Sequence, residues 1–336
     1  MATIISGMKP RDLPPELSRE FHVSDAGKLG VTKQRLRAND LERPFRGVRM
    51  RAVDEPAGGS EATPKQTVDF ELARARELAL VRALATSLRS SQFFTHRTAA
   101  LLWGAPLPHR HRPELHVGVF EPQRAPRISN VNGHRFARGR VELRQLGGLL
   151  LASPAHTFAM LGELPLAELV AVGDYFARMH RKGYGRPNVG KPPHAALTEL
   201  REAVHLGHWR GMPRLRTALK LVREDSWSPR ESTTRVTLVM AGLPEPELNI
   251  DVYDRNGIFI GCSDMAYPRY KVGVEYHGQQ HAERYAQDIE RLERFRADGW
   301  EILQVTKSLE RRPGTLVARV TSALRKRGWN GVLTPP

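Results

Sequence analysis

The sequence contains a single cysteine, Cys262, among 336 residues. One thiol excludes a disulfide within the chain and any zinc site built from several cysteines. This usage fits a reducing compartment, and we expect the protein in the cytoplasm. The first residues lack the basic and apolar pattern of a secretory leader, and no apolar run is long enough to span a bilayer. We therefore expect neither secretion nor membrane insertion.

Acidic residues are scarce relative to basic ones. The chain has 52 Lys and Arg against 36 Asp and Glu, which gives a formal net charge of +16. This excess favours a polyanionic partner, because Lys and Arg release counterions from a phosphate backbone. We expect DNA, with the duplex form first. A basic protein with no nucleic-acid role is the alternative that charge alone leaves open.

Changes in composition along the chain predict several domains and an α/β (α+β) fold class. The predicted segments are a flexible lead-in at 1–15, a winged helix-turn-helix at 16–52, a linker at 53–66, a middle α/β domain at 67–178, a basic loop at 179–193 and a C-terminal domain at 194–330.

The N-terminal domain shows the order helix, turn, helix and strand that is typical of a winged helix-turn-helix. Ser24 is the predicted cap of the first helix, Gly30 provides the turn, and Thr32 caps a second helix through residue 39. Residues 45–51 alternate as a strand should. The candidate DNA-binding side chains are Lys33, Gln34, Arg35, Arg37, Arg46 and Arg49. A solvated basic helix in a protein-binding domain is the alternative.

The C-terminal domain reads as helix, three strands, helix, strand and helix. Ser228 is the predicted N-cap of its first helix, with Pro229 and Glu231 in a capping box. Strands are predicted at 248–254, 259–264, 271–276 and 301–306, and helices at 282–298 and 313–327. The inner face of the helix at 282–298 is predicted from Ile289, Leu292 and Phe295, and its outer face is predicted to consist of Asp288, Glu290, Arg291, Glu293 and Arg294. This order predicts a mixed sheet with helices on its faces.

Two acids stand at the ends of adjacent predicted strands, Asp264 and Glu275. Hydrolysis of a phosphodiester is assisted by a cation that neutralises charge and generates hydroxide, and Mg²⁺ needs only two or three carboxylates to be held. His277 shares a face with Glu275 because the strand period is two. Glu231 is placed to reach the same metal directly or through water.

Simpler interpretations exist for each of these residues. Taken singly, a strand-end acid is most often an ordinary surface residue. Glu231 is equally well explained as the partner in the capping box. His277 and His281 are also explained as solvated or core histidines. The joint spacing of the set is what favours a functional site.

Residues 226–329 resemble the very-short-patch-repair-like endonuclease superfamily, specifically a broad bacterial branch of it. The matching words are Ser228-Pro229-Arg230-Glu231-Ser232 with Arg235, Ala241-Gly242-Leu243-Pro244, Pro246-Glu247, Ser263-Asp264, Tyr267-Pro268, the run 274–281, Asp288, Arg291, Arg294 and Gly299-Trp300.

This resemblance implies a restriction-endonuclease-like fold of the PD-(D/E)xK type with Mg²⁺ or Mn²⁺ as cofactor. Asp264 and Glu275 correspond to its metal-binding acids, and Glu231 to its helix acid. His277 stands where the motif has Lys, and His281 matches the next histidine of the branch. Because the Lys is absent, the basic group must be one of these two histidines; an imidazole near neutral pKa is suited to act as general acid or base. The branch more often has Asp at the position of His277.

Residues 16–165 resemble, more loosely, the regulator protein of abortive-infection type IV toxin–antitoxin systems. The matching pieces are Arg46-Gly47-Val48, Thr98-Ala99-Ala100 with Gly104, and 149–155. The resemblance implies DNA binding by the N-terminal segment and a regulator-like middle domain. We expect a metal-dependent DNA endonuclease of repair or defence. The alternatives are a non-catalytic regulator or antitoxin with a degenerate nuclease domain, and an RNA nuclease with the same metal chemistry.

Overall fold

A computed structural model describes residues 11–51, 65–108, 114–184, 186, 188–276 and 282–334, with the backbone alone at 65–69 and 282–287. The fold is mixed α/β, with three sheets and helices around them. The described chain forms two compact units. The first contains the residues up to Gly104 and 108–153, and the second contains 105–107 and the residues from Pro154 onward.

The boundary between the units lies at Ser153 and Pro154, earlier than the domain boundary expected after residue 178. The reason is a helix of the supposed middle domain, Leu166–Ala177, which packs on the helix Pro229–Met240 inside the second unit. Most of the linker expected at 53–66 and the first ten residues of the lead-in fall outside the described residues.

The first unit begins with a small three-stranded sheet in the order β1-β3-β2. Its elements are β1 (Glu20–His22), α1 (Val23–Lys28), a single 3₁₀ turn (Arg35–Arg37), β2 (Leu41–Glu42) and β3 (Val48–Arg51). Strand β3 alternates as predicted, with Val48 and Met50 fully buried. Leu36 packs into the cluster of Phe21 and Ala26.

Two details of the predicted helix-turn-helix are wrong. The expected helix at 32–39 is only the three-residue 3₁₀ turn, and its N-cap is Gln34 rather than Thr32. The Thr32 hydroxyl accepts from the amide of Arg35 at 3.2 Å. Gly30 lies at φ +76° and provides the turn as expected. The cap of α1 is His22 rather than Ser24, because the His22 ring accepts from the Ser24 amide.

The rest of the first unit is built on a five-stranded sheet in the order β6-β5-β4-β8-β7. Its elements are α2 (Lys65–Ala85), β4 (Gln92–Phe94), α3 (His96–Leu102), β5 (Leu115–Phe120), β6 (Val131–Phe136), β7 (Leu143–Leu146) and β8 (Leu149–Ala152). Strands β5 and β6 run parallel, whereas β4 and β5 are antiparallel.

The second unit begins with five helices: α4 (Pro154–Ala159), α5 (Leu166–Ala177), α6 (Leu197–His205), α7 (Met212–Leu221) and α8 (Pro229–Met240). A buried ion pair fixes α8 on α5. The guanidinium of Arg235, fully buried, donates to Asp174 at 3.0 Å and to Glu245 at 2.8 Å. Burial raises the pKa of Asp174, while Arg235 opposes this rise.

The chain then forms a four-stranded mixed sheet in the order β12-β11-β10-β9. The elements are β9 (Glu247–Tyr253), β10 (Phe259–Tyr267), β11 (Val272–Tyr276), α9 (Ala282–Ala297), β12 (Glu301–Val305), α10 (Lys307–Glu310) and α11 (Pro313–Lys326). Strands β11 and β12 are parallel and are connected through α9, as a crossover connection requires. The predicted mixed sheet with helices on its faces is therefore confirmed.

The two faces of this sheet bury different sets of side chains. On one face, Val272 and Val274 pack against Leu316 and Val320 of α11. On the other, Ala266 and Val252 pack against Phe295 of α9 and Trp300. A continuous apolar run such as 272–274 is what a strand covered on both faces needs. In the part of the chain that is described, no helix combines the length and the hydropathy needed to cross a membrane.

Candidate functional site

Asp264 and Glu275 lie on neighbouring strands and on one face of the four-stranded sheet. The register pairs Met265 with Val274, so that Asp264 and Glu275 form the next pair outward. Residues directly opposite each other in an antiparallel pair project to the same side. This is the face that α9 covers.

The two acids line a cavity of about 150 Å³. Its wall is almost entirely polar and consists of Cys262, Asp264, Glu275, Tyr276, Asp288, Arg291 and Gln304. We call it the acidic cavity. Asp264 was expected at the end of its strand, and this is wrong: β10 continues through Tyr267 because residues 265–267 pair with β11.

Asp264 is a carboxylate in an unfavourable environment. Burial, reinforced by the charge of Glu231 and more weakly by that of Glu275, raises its pKa to about 7, although the amide of Tyr276 donates to it at 2.9 Å and lowers the pKa. A carboxyl group with this pKa titrates near neutral pH. Such a group is suited to exchange a proton or to meet a cation.

Glu275 has the opposite environment. Arg291 donates from Nη1 to Oε1 at 2.9 Å and from Nη2 to Oε2 at 2.7 Å. The same guanidinium also donates to Asp288 at 2.7 Å. Burial alone would lower the pKa of Arg291, but these two acids raise it above its ordinary value. Glu275, which is 6% exposed, is therefore held as a compensated charge.

Arg291 reaches the cavity from the side of α9 that was expected to face solvent. Ile289, expected inside, is 40% exposed, while Phe295 is fully buried as expected. The inner face therefore runs through Asp288, Arg291 and Phe295, at helical spacing. Hydrophobic periodicity missed this face because two of its members are charged. The joint presence of Asp288 and Arg291 in the matching words was the sequence signal that pointed to them.

Glu231 lies at the start of α8, where Ser228 caps the helix as predicted by accepting from the Glu231 amide at 3.2 Å. The capping box is not completed in the usual way. The Oε2 atom of Glu231 accepts from the amide of Trp227 at 2.9 Å and from the side chain of Asn249 at 2.9 Å, and not from the Ser228 amide. Glu231 is 6% exposed, and its charge acts on Asp264 without its lining the cavity.

Asn249 is a residue that sequence reasoning missed. It lies on β9 between the registered pairs Ile250–Ser263 and Leu248–Met265, that is, opposite Asp264. Its backbone is left-handed at φ +49°, a conformation that Asn tolerates better than most residues. Its side chain bonds both Glu231 and the carbonyl of Asp225, so it ties α8 to the sheet.

The three expected acids do not form a compact metal-binding set. Among the described residues, a group of three ligand atoms within 4.8 Å of one another is formed by His96, His116 and His134 in the first unit, and not by the acids. His277 and His281 lie outside the described residues.

The predicted DNA-binding residues fall into two groups. Lys33, Gln34, Arg37 and Arg46 are exposed. Arg35 instead pairs with both carboxyl oxygens of Asp40, at 2.9 and 2.7 Å. Arg49 donates to the carbonyls of Leu36 and Val48, and burial lowers its pKa. The hydrogen bonds of Arg35 and Arg49 hold the segment together, whereas the exposed side chains are open to a ligand.

No protein-family model matches the chain, and no curated protein matches it.

Proposed function

We propose that the chain is a metal-dependent endonuclease that hydrolyses phosphodiester bonds in duplex DNA in the cytoplasm. The observation that carries this proposal is the pairing of Asp264 and Glu275 across adjacent strands on one wall of a polar cavity. The raised pKa of Asp264 supports it. Acids that are grouped in a buried site to bind a cation repel one another when the cation is absent, and this repulsion raises their pKa.

The donor set is chemically suited to Mg²⁺ or Mn²⁺. Asp264, Glu275 and the side-chain amide of Gln304 offer oxygen atoms, which hard cations prefer. A bound cation would polarise the phosphodiester and activate a water molecule. His277 or His281 is proposed as the group that exchanges the proton with the attacking water. Arg291 would hold Glu275 in position for the cation through its two hydrogen bonds.

In this proposal the exposed basic residues of the N-terminal domain hold the DNA. Lys33, Arg37 and Arg46 are the side chains open to phosphate. They add to the overall charge of +16, which supports a polyanionic partner. We also propose a winged-helix architecture for the N-terminal domain and a restriction-endonuclease-like architecture for the C-terminal domain.

The test is cleavage of supercoiled plasmid with Mg²⁺ or Mn²⁺ by the wild type and by Asp264→Asn. Removal of a metal-binding carboxylate is expected to slow cleavage by about 100-fold or more, because several kcal/mol of transition-state stabilisation are lost. The matched control is Glu290→Gln, an exposed acid on α9 that is expected to cut like the wild type. Parallel assays with single-stranded DNA and RNA identify the preferred substrate.

Equal cutting by the wild type and Asp264→Asn would contradict the proposal. So would an absence of metal-dependent cutting on every substrate.

A non-catalytic DNA-binding regulator is the second candidate. The two hydrogen bonds from Arg291 to Glu275 favour it, because this guanidinium already neutralises the carboxylate that would otherwise bind a metal ion. Binding to the chain's own promoter region at least tenfold tighter than to random DNA, without cleavage, would identify this function. Equal affinity for both DNAs would contradict it.

A further inference from the structure

Three histidines of the first unit converge on one face of its five-stranded sheet. His116 lies on β5 and His134 on the neighbouring parallel strand β6, where it pairs with Gly118. His116 and Gly118 are two residues apart and share a face, so His116 and His134 are diagonal neighbours. His96, the first residue of α3, completes the group.

The three imidazoles are close enough to share an ion. One ring nitrogen from each lies within 4.8 Å of the other two, and Nδ1 of His116 is 3.0 Å from Nε2 of His134. In a tetrahedral zinc site the Zn–N distance is about 2.0–2.1 Å, which separates two ligating nitrogens by roughly 3.4 Å. The one pair distance of 3.0 Å is close to that value. The three rings lie stacked, with interplanar angles of 15–25°, so an ion shared by all three requires the rings to rotate until their nitrogens point to a common centre.

The surrounding backbone holds the cluster in place. His96 is left-handed at φ +48°, an uncommon conformation for a residue other than glycine. The His116 amide donates to Thr98 at 2.8 Å, and the Thr95 amide donates to the His116 carbonyl at 3.1 Å, which ties β5 to the start of α3. Strain of this kind persists where the structure over-determines a functional position.

Gly118, the strand partner of His134, is closely packed by neighbouring side chains. A Cβ atom at this position would lie 2.7 Å from the ring of Phe93 and 2.9 Å from that of Phe136. A side chain there would force these neighbours to move. All three histidines are half-buried.

From this geometry we infer that His96, His116 and His134 form a binding site for a transition-metal ion of the Zn²⁺ class. An all-imidazole donor set selects Zn²⁺, Cu²⁺ or Ni²⁺ over Mg²⁺ and Ca²⁺, which prefer oxygen. Three protein ligands leave a fourth position for water or another small ligand, as in catalytic rather than purely structural zinc sites. The site is separate from the acidic cavity in its residues, its unit of the fold and its metal preference.

The test is zinc binding by the full-length protein without a histidine tag, after treatment with a chelator. Bound zinc is measured by elemental analysis after gel filtration and by calorimetric titration. His116→Gln and His134→Gln are each expected to lose one equivalent of zinc. His205→Gln, which alters an exposed histidine bonded to the carbonyl of Arg201, is the matched control and is expected to keep it. Asp264→Asn is expected to keep it as well.

A measurement on the wild type alone covers the case in which a variant misfolds. The ¹H–¹⁵N NMR spectrum of the imidazole rings is expected to show three rings changing together on addition of one equivalent of zinc. No zinc uptake at micromolar concentration would overturn the inference. So would equal uptake by the control and by His116→Gln and His134→Gln, or loss of the zinc in Asp264→Asn alone. Each of these outcomes is independent of whether the protein cuts DNA.

Discussion

The acidic cavity and the basic N-terminal segment, residues 31–51, use charge in opposite ways. In the cavity the charged groups are buried or half-buried and are held by two strands and one helix, and the pKa values of Asp264 and Arg291 are raised. In the basic segment the side chains open to a ligand, such as Arg37, lie in solvent, while Arg35 is partnered and mainly structural. Burial therefore shifts the pKa values of charged groups in the cavity, whereas in the basic segment it distinguishes the arginines that hold the backbone from those open to a ligand.

The largest expected effect comes from removing the guanidinium group of Arg291, which is the positive charge of the acidic cavity. Arg291→Ala leaves Glu275 as an uncompensated acid in a site where it is 6% exposed. Breaking such a partly exposed pair is expected to reduce the free energy of unfolding by about 2–3 kcal/mol in the absence of metal. Urea denaturation in a chelator measures the loss.

Arg294→Ala is the matched control on the same helix, since this arginine is exposed. It is expected to leave the stability nearly unchanged. Adding Glu275→Gln to Arg291→Ala is expected to restore part of the loss, because the buried charge is then removed. If Arg291→Ala and Arg294→Ala were equally stable, the cavity would be no different from a solvated surface and the comparison would fail.

A smaller effect of opposite sign is expected at Asp264. Its pKa is raised from 3.8 to about 7, so between these values the folded protein binds a proton that the unfolded chain does not. Stability therefore falls as the pH rises through this window. Asp264→Asn abolishes the charge and is expected to stabilise the metal-free protein at about pH 8 by about 1–2 kcal/mol, discounted for partial exposure.

The measurement is the melting temperature of the wild type and Asp264→Asn in a chelator from about pH 8 down to about pH 4. The advantage of the variant is expected to vanish at the acid end, where the wild type is protonated in both states. A variant that is less stable than the wild type at the alkaline end would contradict the assigned environment of Asp264.

The smallest effects separate two arginines of the basic segment. Arg37→Ala is expected to leave stability unchanged and to reduce the slope of log K against log salt by about 0.9 for duplex DNA, the value of one phosphate contact. Arg35→Ala is expected to reduce the free energy of unfolding by up to about 1 kcal/mol, because it breaks the bond to Asp40. Salt-dependent binding and urea denaturation measure the two quantities. If Arg37→Ala reduced the stability and Arg35→Ala reduced the salt dependence, burial would not distinguish the structural arginines from those that contact DNA.

Part of this molecule was predictable from the sequence. The strands predicted at 248–254, 259–264, 271–276 and 301–306 all occur, although the second continues to Tyr267. The C-terminal helices followed from caps and periodicity, because Ser228 and the Pro residues at helix starts act locally. Local rules sufficed where the determinants of structure lie within a few residues of one another.

The site was less predictable, because its determinants are distant in the chain. Arg291 was predicted to face solvent because it is charged, whereas its hydrogen bonds to Glu275 in the folded protein turn it toward the cavity. Asn249 carries no pattern of its own, and its role depends on a left-handed backbone that places it against Glu231. The three histidines lie in three separate elements, so no spacing rule connects them.

Cys262 lines the acidic cavity, and it is also the one thiol of the chain. Burial raises its pKa to about 11, and Asp251 and Asp264 add to the rise. At neutral pH only about one thiol in ten thousand is then ionised, so alkylating reagents are expected to modify it slowly. Anything that brings positive charge into the cavity favours the thiolate and accelerates the reaction. The protein thus carries a built-in chemical reporter at this cavity, and no cysteine has to be engineered to read it.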